Sequence, residues 1–171
     1  MDQIAVIRPG MTIHLGKVSV RVYQGRHVRF DRKLIFRSLR PLRILKYIRN
    51  LPFLIYAVTH FPENHETVVY ELMAEGKTVL LLGSMELDEK EEYTKGADLL
   101  ILPFQGRSEP EKKADELLER LQPSRVLLSH YDDAFPPISK SVDTRGLKHL
   151  LNTKYPAIRA VKPKAGKTIE I

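Results

Sequence analysis

Residues 123–133 read PSRVLLSHYDD. The run SRVLLSH within it is short, apolar and rich in branched residues, which is the pattern of a buried strand. The polar, proline-bearing YDDAFPP that follows has the composition of a loop. His130 therefore stands at the carboxyl end of a strand, ahead of a phenol and two carboxylates. In open α/β sheets ligands and metals gather at that end, because the strand fixes the position and the loop leaves one side open. A histidine that caps the strand and hydrogen-bonds a neighbouring carbonyl is the competing reading of the same residue.

Upstream of this stretch, FQGRSEPEKKADELLERLQP reads as a helix. Ser108 and Glu111 have capping-box spacing, Pro110 sits near the start, and Ala114, Leu117, Leu118 and Leu121 share one face. ADLLILP before it is a strand, and the acidic MELDEKEEYTKG before that reads as a further helix. ETVVYELMAEGKTVLLLGS reads as two strands about a turn at Glu75, Gly76 and Lys77. Downstream, a helix is expected near residues 142–153 and terminal strands in AIRAVKP and KTIEI. From residue 77 onward strands and helices alternate, the signature of a sheet covered by helices.

The first third differs. MTIHL and KVSVRVY, joined at Gly16, predict a hairpin in which Val18, Val20 and Val22 share a face. RKLIFRSLRPLRILKYIRN then places Leu34, Ile35, Leu39, Leu42, Leu45 and Ile48 at helical spacings, with Pro41 set to kink or split the helix. LPFLIYAVTH is another apolar run, ending at His60.

Composition narrows the classes. The 171 residues, 19.7 kDa and 43% hydrophobic content suit one domain spanning 1–171, with a basic helical insertion at about 32–50. No cysteine is present, so disulfides, thiolate nucleophiles and cysteine-ligated zinc are excluded, and any metal falls to His, Asp or Glu. The start has neither a basic leader nor an apolar core, and no apolar run approaches the roughly 20 residues of a membrane span. A soluble, cytoplasmic protein is the expectation. The net charge is +7. Between Arg21 and Arg49 the bases are opposed only by Asp31, which suits an anionic partner, nucleic acid or lipid. A Gly-rich phosphate loop, a Gly-x-Ser-x-Gly elbow and a dinucleotide fingerprint are all absent.

Three segments taken together, VLLLGS at 79–84, ADLLILPFQGRS at 97–108 and PSRVLLSHYDD at 123–133, resemble the C-terminal half of the metallo-β-lactamase-fold hydrolases, and VRVYQGRH at 20–27 is similar to that family's preceding element. The resemblance implies an α/β (α+β layered) fold: half of an αββα sandwich, a mixed sheet with covering helices. It also implies a metal-dependent hydrolase, with His27 and His130 as ligands of zinc or another divalent cation. Arg26 or Arg107, with Ser84, Tyr131 and Asp132, would face a substrate, and Asp132, Asp133 or His65 would be sources of a third ligand.

Two departures from the family bear on activity. Ser84 stands where the resemblance calls for a bridging aspartate, and a hydroxyl brings no charge to share between two cations. The His-x-His-x-Asp-His cluster of the family's N-terminal half has no counterpart in this sequence. Together they imply a degenerate or incomplete hydrolase. Half a sandwich also implies an apolar sheet face, unfavourable in water by roughly 25 cal/mol per Å², hence a homo-oligomer or a partner that covers it. The alternative function is a non-catalytic binding or scaffold module that contacts an anionic partner through its basic helix.

Overall fold

A computed structural model describes residues 6–29, 41–61, 66–132, 140–161, 163, 166 and 168–170. His65, Asp133 and the first part of the expected basic helix, residues 32–40, lie outside the described residues.

The expected hairpin forms. β1 (Thr12–Leu15) pairs antiparallel with β2 (Val18–Arg26) around Gly16. A helical excursion follows: α1 (Pro41–Lys46), a 3-10 turn (Ile48–Asn50) and α2 (Leu51–His60). β3 (Glu66–Ala74) and β4 (Lys77–Leu82) then form a second hairpin. Its turn residues Glu75 and Gly76 have φ of 52° and 74°, the left-handed pair that matches the twist of a tight hairpin. β5 (Glu86–Leu87), β6 (Leu99–Pro103), α3 (Pro110–Leu121), β7 (Arg125–Ser129), α4 (Arg145–Lys154) and β8 (Arg159–Val161) complete the order.

The strands make one sheet in the order β1-β2-β3-β4-β6-β7-β8, with β5 beside β2. Pairing is antiparallel from β1 to β4 and parallel from β4 to β8, so the sheet is mixed, as expected. Because side chains alternate along a strand, the register sorts them into two faces. Val69, Leu80, Leu82, Leu100, Leu102, Val126 and Leu128 share the first face and are buried. Ala114, Leu117, Leu118 and Leu121 of α3 and Leu147 and Leu151 of α4 belong to the same core cluster. Each fully buried leucine of this layer stabilises the fold by about 1.5–3 kcal/mol. The second face carries Val22 and Leu99, which are buried, and Val68, Tyr70, Leu72, Val79, Leu81, Ile101 and Leu127, all half-buried.

The acidic stretch 85–96 is not the expected helix. It contributes the two-residue β5 and otherwise runs irregularly. Its acids would stand one turn apart on a helix and repel one another, and other parts of the chain take its polar groups. The Arg120 guanidinium donates to the carbonyls of Asp88 and Glu91 at 2.8 and 2.6 Å and lies 4.9 Å from the Tyr93 ring. The Tyr93 hydroxyl donates to the Gln24 carbonyl and accepts from the Asp88 N–H. Tyr23 packs beside Tyr93 and donates to the buried Glu71 carboxylate at 2.7 Å. Burial first, and Glu71 among the lesser causes, hold the Tyr23 phenol above its ordinary pKa, so it remains a donor.

Two further boundaries differ from the sequence reading. α3 opens at Pro110, with Glu109 at the N-cap, one residue beyond the Ser108 that the capping-box spacing selects. At the chain end only Arg159–Val161 is a strand, and the described residues 168–170 are not.

Candidate functional site

β2 is antiparallel to β3, β3 is antiparallel to β4, and β4, β6 and β7 are parallel. The carboxyl ends of β2, β4, β6 and β7 therefore lie along one edge of the sheet. His27 follows the first, Gly83 and Ser84 the second, residues 104–107 the third and His130 the fourth. The sequence-predicted candidates thus come from separate segments to a common edge, where open sheets bind ligands.

At that edge Ser84 is buried, and its Oγ accepts the Val28 N–H at 2.7 Å. This bond holds the residue after His27 against the end of β4. Close backbone packing accompanies it. A Cβ on Gly83 would stand 2.8 Å from the Val68 carbonyl oxygen, and one on Gly25 would stand 2.6 Å from Thr67 Oγ1. The Thr67 hydroxyl is buried and has no hydrogen-bond partner among the described residues.

His130 is exposed, with φ of 49°. A residue with a Cβ costs about 1–2 kcal/mol in this left-handed region, and histidine is among the types that visit it. The loop it opens is tied back to β6. Gln105 Nε2 donates to the carbonyls of Asp132 and Lys140 at 3.2 and 2.9 Å, and the Phe104 N–H donates to the Ser129 carbonyl at 2.9 Å.

The other candidates divide. Tyr131 packs against the core, and its hydroxyl donates to the Pro163 carbonyl at 3.4 Å. Asp132 is exposed, with its backbone oxygen held by Gln105. Arg26 is exposed and pairs with Glu89 at 3.5 Å. Arg107 pairs with Glu86 at 3.4 Å, and Glu86 also lies 3.9 Å from Lys113. Arg26 and Arg107, the cations expected to orient an anion, are thus each met by a carboxylate. Gln105 was not singled out from sequence; the signal available was a polar residue directly after the apolar run LLILPF at 99–104.

A metal needs at least three protein donors even where one position stays open. Among the described residues no group of three or more His, Asp or Glu side chains comes together. The Ser84 oxygen already accepts a backbone hydrogen bond and is neutral. The described donor set does not fit a metal centre. A cleft of about 540 Å³ lies elsewhere, where Gln122, Ser124 and Tyr155 flank the amino end of β7.

No protein-family model and no curated protein sequence matches the chain. Its similarity to solved structures is in shape. The chain superposes with a TM-score of 0.52 at 15% identity on a Parabacteroides distasonis protein assigned as a metal-dependent hydrolase, over 92% of this chain and 56% of that one. For the metallo-β-lactamase fold protein YhfI of Bacillus subtilis the TM-score is 0.51 at 11% identity, over 94% and 53%. The chain spans little more than half the length of either. Its mixed sheet, covered on one face and aligned at one edge, is therefore the metallo-β-lactamase fold, carried in part.

Proposed function

We propose that this chain is an incomplete metallo-β-lactamase-fold hydrolase, without a metal centre of its own and without hydrolytic activity when alone. The observation that carries this reading is the Ser84 hydroxyl. Its oxygen is used to anchor the Val28 backbone, and on this reading it stands at the strand end where a bridging carboxylate would be needed. In such hydrolases a cation lowers the pKa of a bound water and polarises the scissile group. His27 and His130 reach the same edge but supply two donors. The half-buried second face of the sheet belongs, on this reading, to a covering layer from a second copy or a separate partner.

Elemental analysis of protein purified without chelator tests the proposal, run beside light scattering for molar mass. The expected result is far less than one metal per chain, unchanged by His130→Ala, and no turnover of phosphodiester or ester probes with added zinc or manganese. One bound metal per chain, lost on His130→Ala, would contradict it.

A further inference from the structure

Between residues 32 and 62 lie seven lysines and arginines and no acid, and the rest of the chain has equal numbers of acidic and basic residues. A charge equal to the whole formal +7 thus resides in residues 32–62, within the segment that joins β2 to β3. The same insertion holds the exposed apolar surface. Of nine described large apolar residues that are more than half exposed, seven lie between residues 42 and 61. Leu42 is 82% exposed, Phe53 66% and Ile55 63%. Soluble surfaces rarely gather such residues without a partner.

α2 shows how far this goes. Its sequence, LPFLIYAVTH, is apolar on every side, a composition that belongs in a core or in lipid. Its last two side chains turn back onto the helix: the Thr59 hydroxyl donates to the Ile55 carbonyl at 2.8 Å, and His60 Nδ1 lies 3.0 Å from the Tyr56 carbonyl oxygen. The Thr59 hydroxyl and His60 Nδ1 thus have partners within the helix itself, as an apolar environment favours.

Each partner class meets this surface differently. Nucleic acid would pair with the bases but leave Leu42, Ile48 and Ile55 without a counterpart. An apolar protein surface would cover the leucines and leave the exposed Lys46 and Arg49 without a counterpart. An anionic bilayer takes both, with phosphates for the bases and the acyl boundary for the apolar side chains. The ten residues of α2 reach about 15 Å, half the hydrocarbon thickness of roughly 30 Å. No described helix is long and apolar enough to cross a membrane. We infer that residues 41–61 are a docking surface for an anionic phospholipid bilayer, lying in its interface rather than spanning it.

Flotation of the full chain with vesicles of phosphatidylcholine alone, or containing about 30% phosphatidylserine, tests this. The expected result is binding at least about tenfold stronger to the anionic vesicles, weakening as salt rises. Lys46→Glu with Arg49→Glu should cut that binding by about tenfold or more. Phe53→Ser with Ile55→Ser should cut it by a similar factor, about tenfold, while the residual binding keeps its salt dependence. All four positions are exposed, so an unchanged thermal transition serves as the control. Equal binding to both vesicles, or none, overturns the inference. So does a serine pair that leaves vesicle binding intact but turns a dimer into a monomer, which would assign the surface to a second copy. Binding to DNA that needs the bases but not Phe53 and Ile55, without vesicle binding, would assign it to nucleic acid.

Discussion

α2 and α3 are helices of similar length with opposite fates. α3, PEKKADELLERL, is mostly polar, yet Ala114, Leu117, Leu118 and Leu121 are buried to within a few per cent. α2, LPFLIYAVTH, is almost wholly apolar, yet Phe53, Ile55 and Tyr56 are more than half exposed. The difference teaches that pattern and position, not composition, determine burial. α3 concentrates its apolar residues on one stripe and follows a parallel strand, so the crossover lays that stripe on the sheet. α2 has no polar side to turn outward and sits in an excursion between two antiparallel strands, with the 3-10 turn before it as its principal packing partner among the described elements.

The largest expected effect separates the two helices directly. Leu118→Ala should lower unfolding stability by about 3 kcal/mol, because the leucine is fully buried and leaves a cavity. Phe53→Ala should stay within about 0.5 kcal/mol of the parent. Urea unfolding of both variants measures the contrast, and a large loss at Phe53 would erase it.

Two substitutions probe the root of the excursion. Gly83→Ala would force a Cβ to 2.8 Å from the Val68 carbonyl, near the start of β3 where the chain returns to the sheet. A cost of about 2 kcal/mol is expected, read by the same urea titration. Ser84→Ala removes the acceptor of the Val28 N–H, just where the chain leaves the sheet, and should cost about 1.5 kcal/mol. If the bond acts as an anchor, amide exchange at residues 27–29 should quicken in Ser84→Ala while α3 is unaffected.

The smallest effect concerns pH and belongs to the α3 side. Asp98 accepts the Thr78 N–H at 2.9 Å and the Lys77 ammonium at 3.1 Å, and the backbone bond first, then Lys77, holds its carboxyl below the usual range. A depressed folded pKa stabilises above the ordinary carboxylate value and is lost as pH falls through the folded one. Asp98→Asn should therefore flatten the fall in stability below about pH 4, measured by urea unfolding across that range.

Much of the fold was legible because its signals are local. The hairpin turn at Glu75 and Gly76, the stripe on α3 and the apolar strands ending at Leu82, Pro103 and Ser129 each follow from spacing within one segment. The shared edge of His27, Ser84 and His130 was legible through the order of segments that resemble the family. The stretch at 85–96 was misread because its conformation is imposed from outside, by Arg120 and Gln24, neither of which its own residues reveal. The Gln105 clamp and the Ser84 anchor were hidden for the same reason: each bonds residues 27 or more positions away in the chain. The exposure of α2 was hidden too, since an apolar run reads as core until its neighbours are known.

The contrast between the two helices is most directly tested by hydrogen–deuterium exchange of the free chain, comparing amides of residues 51–61 with those of 110–121. A short helix with little packing opens at low free energy. The predicted result is rapid exchange along α2 at every protein concentration, slow exchange along α3, and new protection of α2 when anionic vesicles are added. Equal protection of both helices in the free, monomeric chain would contradict it, for α2 would then be packed as core rather than presented to a partner.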